Sequence, residues 1–112
     1  MKVSKFGGSS VSNAEQIKKV LNIINSDEDR KITIVSAPGK RHKEDVKTTD
    51  LLIRLYEKVI DHLDYISKKE EIIQRYADII HELHMSDTLL STIDQTLESY
   101  IATLKDKPSR LL

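Results

Sequence analysis

The stretch richest in chemical potential is Lys5-Phe6-Gly7-Gly8-Ser9-Ser10-Val11. Two adjacent glycines remove Cβ obstruction, so an anion can approach the main-chain N–H groups. Two hydroxyls add donors and Lys5 adds a cation, a combination suited to a phosphate. The same residues also suit a plain tight turn with surface serines. Neither common phosphate loop is present, because G-x-x-x-x-G-K-[ST] and G-x-G-x-x-G are both missing.

A second stretch runs Ile34-Val35-Ser36-Ala37-Pro38-Gly39, followed by Lys47-Thr48-Thr49-Asp50-Leu51-Leu52. In open α/β sheets, ligands bind beyond the carboxyl ends of the strands. Ser36 closes one apolar run as Lys5–Gly8 closes another, so both stretches are expected on one sheet edge. Thr48-Thr49-Asp50 opens a helical pattern, where capping is as natural a role as ligand binding.

Local pattern supplies the elements that position these residues. Met1–Phe6 alternates and is stopped by Gly7-Gly8, which predicts a short strand. Ser12-Asn13-Ala14-Glu15 fits a capping box with Ser12 as the cap. Ile17, Val20, Leu21 and Ile24 then share one face at helical spacing. Lys31–Ser36 is a β-branched run of the kind found in buried parallel strands. Strand, helix and strand in that order make a βαβ unit with an expected right-handed crossover.

Beyond that unit the composition changes. Residues 51–107 contain neither Gly nor Pro and read as helix. A first helix, capped by Asp50, presents Leu52, Leu55, Tyr56, Val59, Leu63 and Ile66. A second, from about Lys69, presents Ile72, Ile73, Tyr76, Ile79, Ile80 and Leu83. A third, opened by Ser86 or Asp87, presents Leu89, Leu90, Ile93, Leu97, Tyr100, Ile101 and Leu104, and Lys107-Pro108 closes it. All three are amphipathic and must bury a stripe. Two strands alone do not make a stable parallel sheet, so the chain reads as an incomplete domain. The expected division is 1–39 as βαβ with a phosphate loop, 40–50 as loop and 51–107 as helical segment.

Composition narrows the function classes. With 112 residues the chain holds one domain at most. Eighteen basic residues balance eighteen acidic ones, which gives no support to a polyanion-binding role. The lack of cysteine excludes disulfides and thiol chemistry. No apolar run approaches the roughly 18 residues of a membrane span, and no secretory signal precedes Phe6. A cytoplasmic protein without nucleic-acid or membrane partners is expected.

The motifs K-F-G-G-S-S-V, V-S-A-P-G and T-D-L-L, in that order, resemble aspartate kinase within the amino-acid kinase superfamily. The resemblance implies the N-terminal portion of a three-layer α/β/α fold. It also implies phosphorylation of the β-carboxylate of L-aspartate by ATP with Mg²⁺, the first step of lysine, threonine and methionine biosynthesis. By the same resemblance Lys5 is the catalytic lysine, and Lys5, Phe6, Gly7, Gly8 and Ser9 bind nucleotide phosphates. Ser36 and Thr49 line the aspartate pocket; the long loop 40–47 leaves Thr48 as the alternative to Thr49. No metal-ligating residue is assigned. The family's G-E motif, later Gly-rich and catalytic Asp segments, adenine pocket and regulatory domains are absent from these 112 residues. The expectation is therefore a fragment, inactive alone, of an enzyme that forms homo-oligomers when complete.

Three features have plainer readings. Lys40-Arg41-His42-Lys43 reads as a solvated loop offset by Glu44 and Asp45, or as a contact to a substrate carboxylate or phosphate. His81 and His84 lie i, i+3 without a third ligand, so solvated histidines are expected rather than a metal pair. The rival to an enzyme segment is a non-catalytic interaction module whose working part is the helical region 51–105.

Overall fold

Strands β1 (Lys2–Phe6) and β2 (Arg30–Val35) pair in parallel, with Val3 opposite Ile32, Lys5 opposite Ile34 and Phe6 opposite Val35. Helix α1 (Ala14–Asn25) makes the crossover, and a short 3-10 turn (Gly8–Val11) leads into it. The computed structural model describes residues 1–108. Within it, Met1–Thr49 forms one compact unit and the chain from Asp50 forms another.

The entry to α1 differs from the expected capping box. Ser12 has a helical backbone, with φ −70° and ψ −27°, whereas a cap residue must be extended. Asn13, at φ −152° and ψ 176°, takes that place, and its side chain accepts from the Gln16 amide at 3.0 Å. Ser12 is buried and donates its hydroxyl to the Ser9 carbonyl at 3.0 Å. The 3-10 turn has absorbed Ser12 and moved the cap one residue along.

Expected burial holds for part of α1 and fails for β2. Ala14 and Val20 are buried, Ile17 and Ile24 half-buried, and Leu21 exposed. In β2, Ile32, Ile34 and Val35 are all exposed, against the expectation of a buried parallel strand. Among the described residues the sheet has only these two strands, so within this unit β2 lacks the flanking strands of a buried parallel sheet. On β1, Val3 and Lys5 share an exposed face, while Ser4 and Phe6 are half-buried, as alternation along a strand requires.

At the far end of the sheet, the Lys2 amide donates to the Asp29 carbonyl at 2.7 Å, and its ammonium pairs with Asp27. The Lys2 hydrogen bond, helped by the Asp29 amide, holds the Asp27 carboxyl below its ordinary range. Arg30 reaches back to the Ile23 carbonyl and the Ser26 hydroxyl, closing the end of α1.

The second unit is helical. Helix α2 (Thr48–Ile60) begins two residues before Asp50, which therefore sits in the first turn and favours the helix dipole from there. Leu51, Leu55, Val59 and Ile60 are buried. Leu63 and Ile66, expected on the same face, are exposed because the helix has already ended. That ending is a Schellman closure: His62 is left-handed (φ 58°), its amide donates to Val59, and the Leu63 amide donates to Lys58 at 2.8 Å.

Helix α3 (Ile66–Glu82) starts earlier than expected because the Asp64 carboxylate accepts from the Ile66 amide at 3.1 Å. It ends in a second Schellman closure, with His84 at φ 56° and the Met85 amide bonded to Ile80 at 2.9 Å. Helix α4 (Asp87–Lys105) is capped by Ser86. The helices α3 and α4 pack together, and Lys69 joins them through Asp94 at 2.9 Å and through Glu98. His81 meets Asp87 at 3.0 Å, and the left-handed His84 lies in the turn between α3 and α4; both are exposed, as expected.

Candidate functional site

Two loops leave the carboxyl ends of β1 and β2 and meet backbone to backbone. The Ser36 amide donates to the Phe6 carbonyl at 3.1 Å, extending the sheet by one rung. The Gly39 amide then donates to the Gly8 carbonyl at 2.8 Å. No side chain fits between them: a Cβ on Gly39 would stand 2.7 Å from the Gly8 carbonyl carbon and 2.9 Å from the Ser9 nitrogen. A Cβ on Gly8 would stand 3.1 Å from the Ala37 carbonyl oxygen. Gly7 differs, since a Cβ there would meet nothing within 4 Å.

The meeting of these loops shapes an open cleft of about 430 Å³. Gly8 and Ser9 line it from the first loop, Ser36 to Lys40 from the second, and Lys47 and Thr49 complete it. Three hydroxyl-bearing residues and two lysines thus line one space, with no Asp or Glu in the lining. Such a composition suits an anion.

The structure brings together Gly8, Ser9, Ser36 and Thr49 of the residues expected from sequence. Lys5, Phe6 and Gly7 lie outside the lining; Lys5 is on the exposed face of β1, one strand position before the loop turns. Thr48 and Thr49 separate cleanly. Thr49 is exposed and lines the cleft, whereas Thr48 is fully buried and its amide donates to the Pro38 carbonyl at 3.1 Å. The Thr48 Oγ1 is buried without a hydrogen-bond partner.

The sequence assigned neither Gly39 nor Lys47 to the site, and offered Lys40 only within the run Lys40–Lys43 as a contact to a substrate carboxylate or phosphate. The signal was present in the loop itself, where Arg41 and Asp45 stand at i, i+4. Asp45 Oδ2 accepts from the Arg41 amide at 2.9 Å and from Nε at 2.6 Å, and Oδ1 accepts from Nη2 at 3.0 Å. That clamp turns a run of charges into a folded loop.

A magnesium ion fits this lining poorly. It seeks several oxygen ligands, usually one or two carboxylates. The cleft offers no carboxylate, and no group of three or more His, Asp or Glu could hold a metal among the described residues. Nor is any helix among the described residues long and apolar enough to cross a membrane.

A parallel βαβ unit with a cleft beyond the carboxyl ends of its strands is the architecture of an open α/β protein, in which ligands bind at that edge. Residues 1–99 match the amino acid kinase family, and the chain belongs to it. Within that family its relatives are aspartokinases. It is 39% identical over 112 residues to aspartokinase 3 of Bacillus subtilis (strain 168), covering 100% of this chain and 25% of that protein. It is 33% identical over 108 residues to the chloroplastic aspartokinase 2 of Arabidopsis thaliana, covering 92% of this chain and 18% of the relative.

Among solved structures, aspartate kinase of Clostridium acetobutylicum superposes with a TM-score of 0.77 at 40% identity, over 87% of this chain and 23% of that one. Escherichia coli aspartokinase III in complex with aspartate and ADP superposes with a TM-score of 0.73 over 96% of this chain and 23% of that one. At 24% identity, that second likeness speaks for the fold alone. The chain spans about a quarter of the length of the Bacillus relative.

Proposed function

We propose that this chain forms part of the active site of an aspartate kinase, the enzyme that moves the γ-phosphoryl group of ATP to the β-carboxylate of L-aspartate. The observation that carries the reading is the Gly8–Gly39 crossing, which gathers Ser9, Ser36 and Thr49 around one anion-receiving cleft at the carboxyl ends of both strands. The names of the aspartokinases it is similar to support the same reading.

In the reaction, a carboxylate oxygen attacks the γ-phosphorus and the β–γ bridging oxygen leaves with ADP. The products are aspartyl phosphate and ADP. Ser36 and Thr49 hold the acceptor through their hydroxyls. The segment Lys5 to Ser9 holds the nucleotide phosphates, with Lys5 following the charge that moves to the bridging oxygen. Such chemistry depends on positioning and charge neutralisation rather than on a covalent intermediate. Because the lining does not fit Mg²⁺, no step here is assigned to the metal.

The experiment is trapping of the acyl phosphate as a hydroxamate by the full-length protein given ATP and L-aspartate. ATP-dependent hydroxamate from L-aspartate, reduced by Ser36→Ala, supports the reading. No product with a protein that is folded by circular dichroism overturns it in favour of the helical interaction module.

A further inference from the structure

Two lysines of the cleft lining have no task in the proposed reaction. Lys40 and Lys47 both line it, and neither is in an ion pair among the described residues. They flank a loop that is closed twice. The Thr48 amide ties to Pro38 at its base, and the Arg41–Asp45 clamp folds its body, with the Asp45 side chain only 9% exposed. The Asp45 amide also donates to the His42 carbonyl at 3.1 Å. A loop held this way has lost its freedom before any ligand arrives, so binding does not have to order it.

We propose that Lys40 and Lys47 are the recognition pair for the carboxylates of the acceptor amino acid, with the Arg41–Asp45 clamp as their positioning device. The proposal rests on reading the cleft as the acceptor side of a kinase. The choice of carboxylate over nucleotide phosphate follows from the lining. Ser36 and Thr49, the acceptor residues, share it with both lysines; of the five residues assigned to the nucleotide only Gly8 and Ser9 reach it, while Lys5, Phe6 and Gly7 are outside it. No acidic side chain in the lining offsets the two cations, so an acceptor with two negative groups matches them best.

Calorimetric titration of the full-length protein with L-aspartate and, separately, with ADP tests this. Lys40→Met and Lys47→Met should each weaken aspartate by about tenfold, the loss of one charge-assisted hydrogen bond, and leave ADP within about twofold. Lys47→Arg should keep most of the aspartate affinity. Asp45→Asn should weaken aspartate by about threefold to fivefold without changing ADP, a split that a merely structural role would not give.

Loss of ADP binding with intact aspartate binding would assign the lysines to the nucleotide and overturn the proposal. Unchanged binding of both ligands in the two Met variants would overturn it while leaving the proposed function standing. A wild type that ignores aspartate but takes L-glutamate, with the same loss in Lys47→Met, would sink the substrate assignment and uphold the lysine pair. A wild type that binds no dicarboxylate would overturn the pair.

Discussion

Gly39 and Gly8 lie in direct backbone contact, joined by a 2.8 Å hydrogen bond, with no room for a methyl group on Gly39. This contact joins the loops of two strands that are distant in sequence. Both glycines line the cleft.

Gly39→Ala should therefore destabilise the protein by about 1–3 kcal/mol, the range for forcing atoms into packed space. Gly7→Ala, with nothing within 4 Å of its added carbon, should stay within about 0.5 kcal/mol. Urea melts of the two variants side by side check the contrast, and equal losses would mean that the crossing is not what makes Gly39 necessary.

Thr48 and Thr49 are neighbours with opposite fates. Thr48→Val removes a buried, unpartnered hydroxyl and should leave stability unchanged or raise it by about 1 kcal/mol. It should not alter binding of an acceptor. Thr49→Val should leave the melt unchanged and weaken acceptor binding several-fold. Parallel thermal melts and aspartate titrations read both effects.

The histidines His62 and His84 each hold a left-handed backbone at a helix end. A left-handed conformation costs a residue with a Cβ about 1 kcal/mol, and glycine escapes it. His62→Gly and His84→Gly should each raise stability by roughly that amount. A loss of stability in both would contradict the Schellman assignment.

Lys69 carries a pH prediction. Hydrogen bonds from its ammonium to Glu98 and then Asp94 raise its pKa above the ordinary 10.5, against the opposing effect of burial. A cation whose folded pKa is raised contributes stability that is fully present below its unfolded pKa and lost as pH rises through the folded one. With half-exposed partners the contribution is about 1 kcal/mol or less. The difference in stability between wild type and Lys69→Met should thus be constant from neutral pH to about 10.5 and shrink above it. A difference that persists unchanged at higher pH would locate the effect in packing.

Much of this fold was legible because its signals are local. Alternation, β-branched runs and helical spacing marked β1, β2 and the helical faces, and Ser86 was recognisable as a cap. What escaped depended on contacts across the chain. Ser12 and Asn13 are both good caps, and only the 3-10 turn decided between them. A histidine at a helix end gives no sign that it will turn left-handed. Gly39 became a site residue through Gly8, a contact with no local pattern, and the Arg41–Asp45 clamp beside Lys40 and Lys47 shows in the sequence only as opposite charges at i, i+4. The burial of β2 failed as an expectation because pattern reports what a strand suits, not which neighbours it has.

Lys5 is proposed to serve the transferring phosphoryl group and Thr49 the acceptor, and steady-state kinetics of the full-length protein test this division most directly. Interactions that strengthen in the transition state appear in kcat, and uniform binding appears in KM. Lys5→Ala should lower kcat by about 10²–10³ with KM for ATP little changed. Thr49→Val should raise KM for aspartate with a smaller change in kcat. The opposite pattern, with Lys5→Ala altering only KM for ATP and Thr49→Val leaving KM for aspartate untouched, would contradict the account.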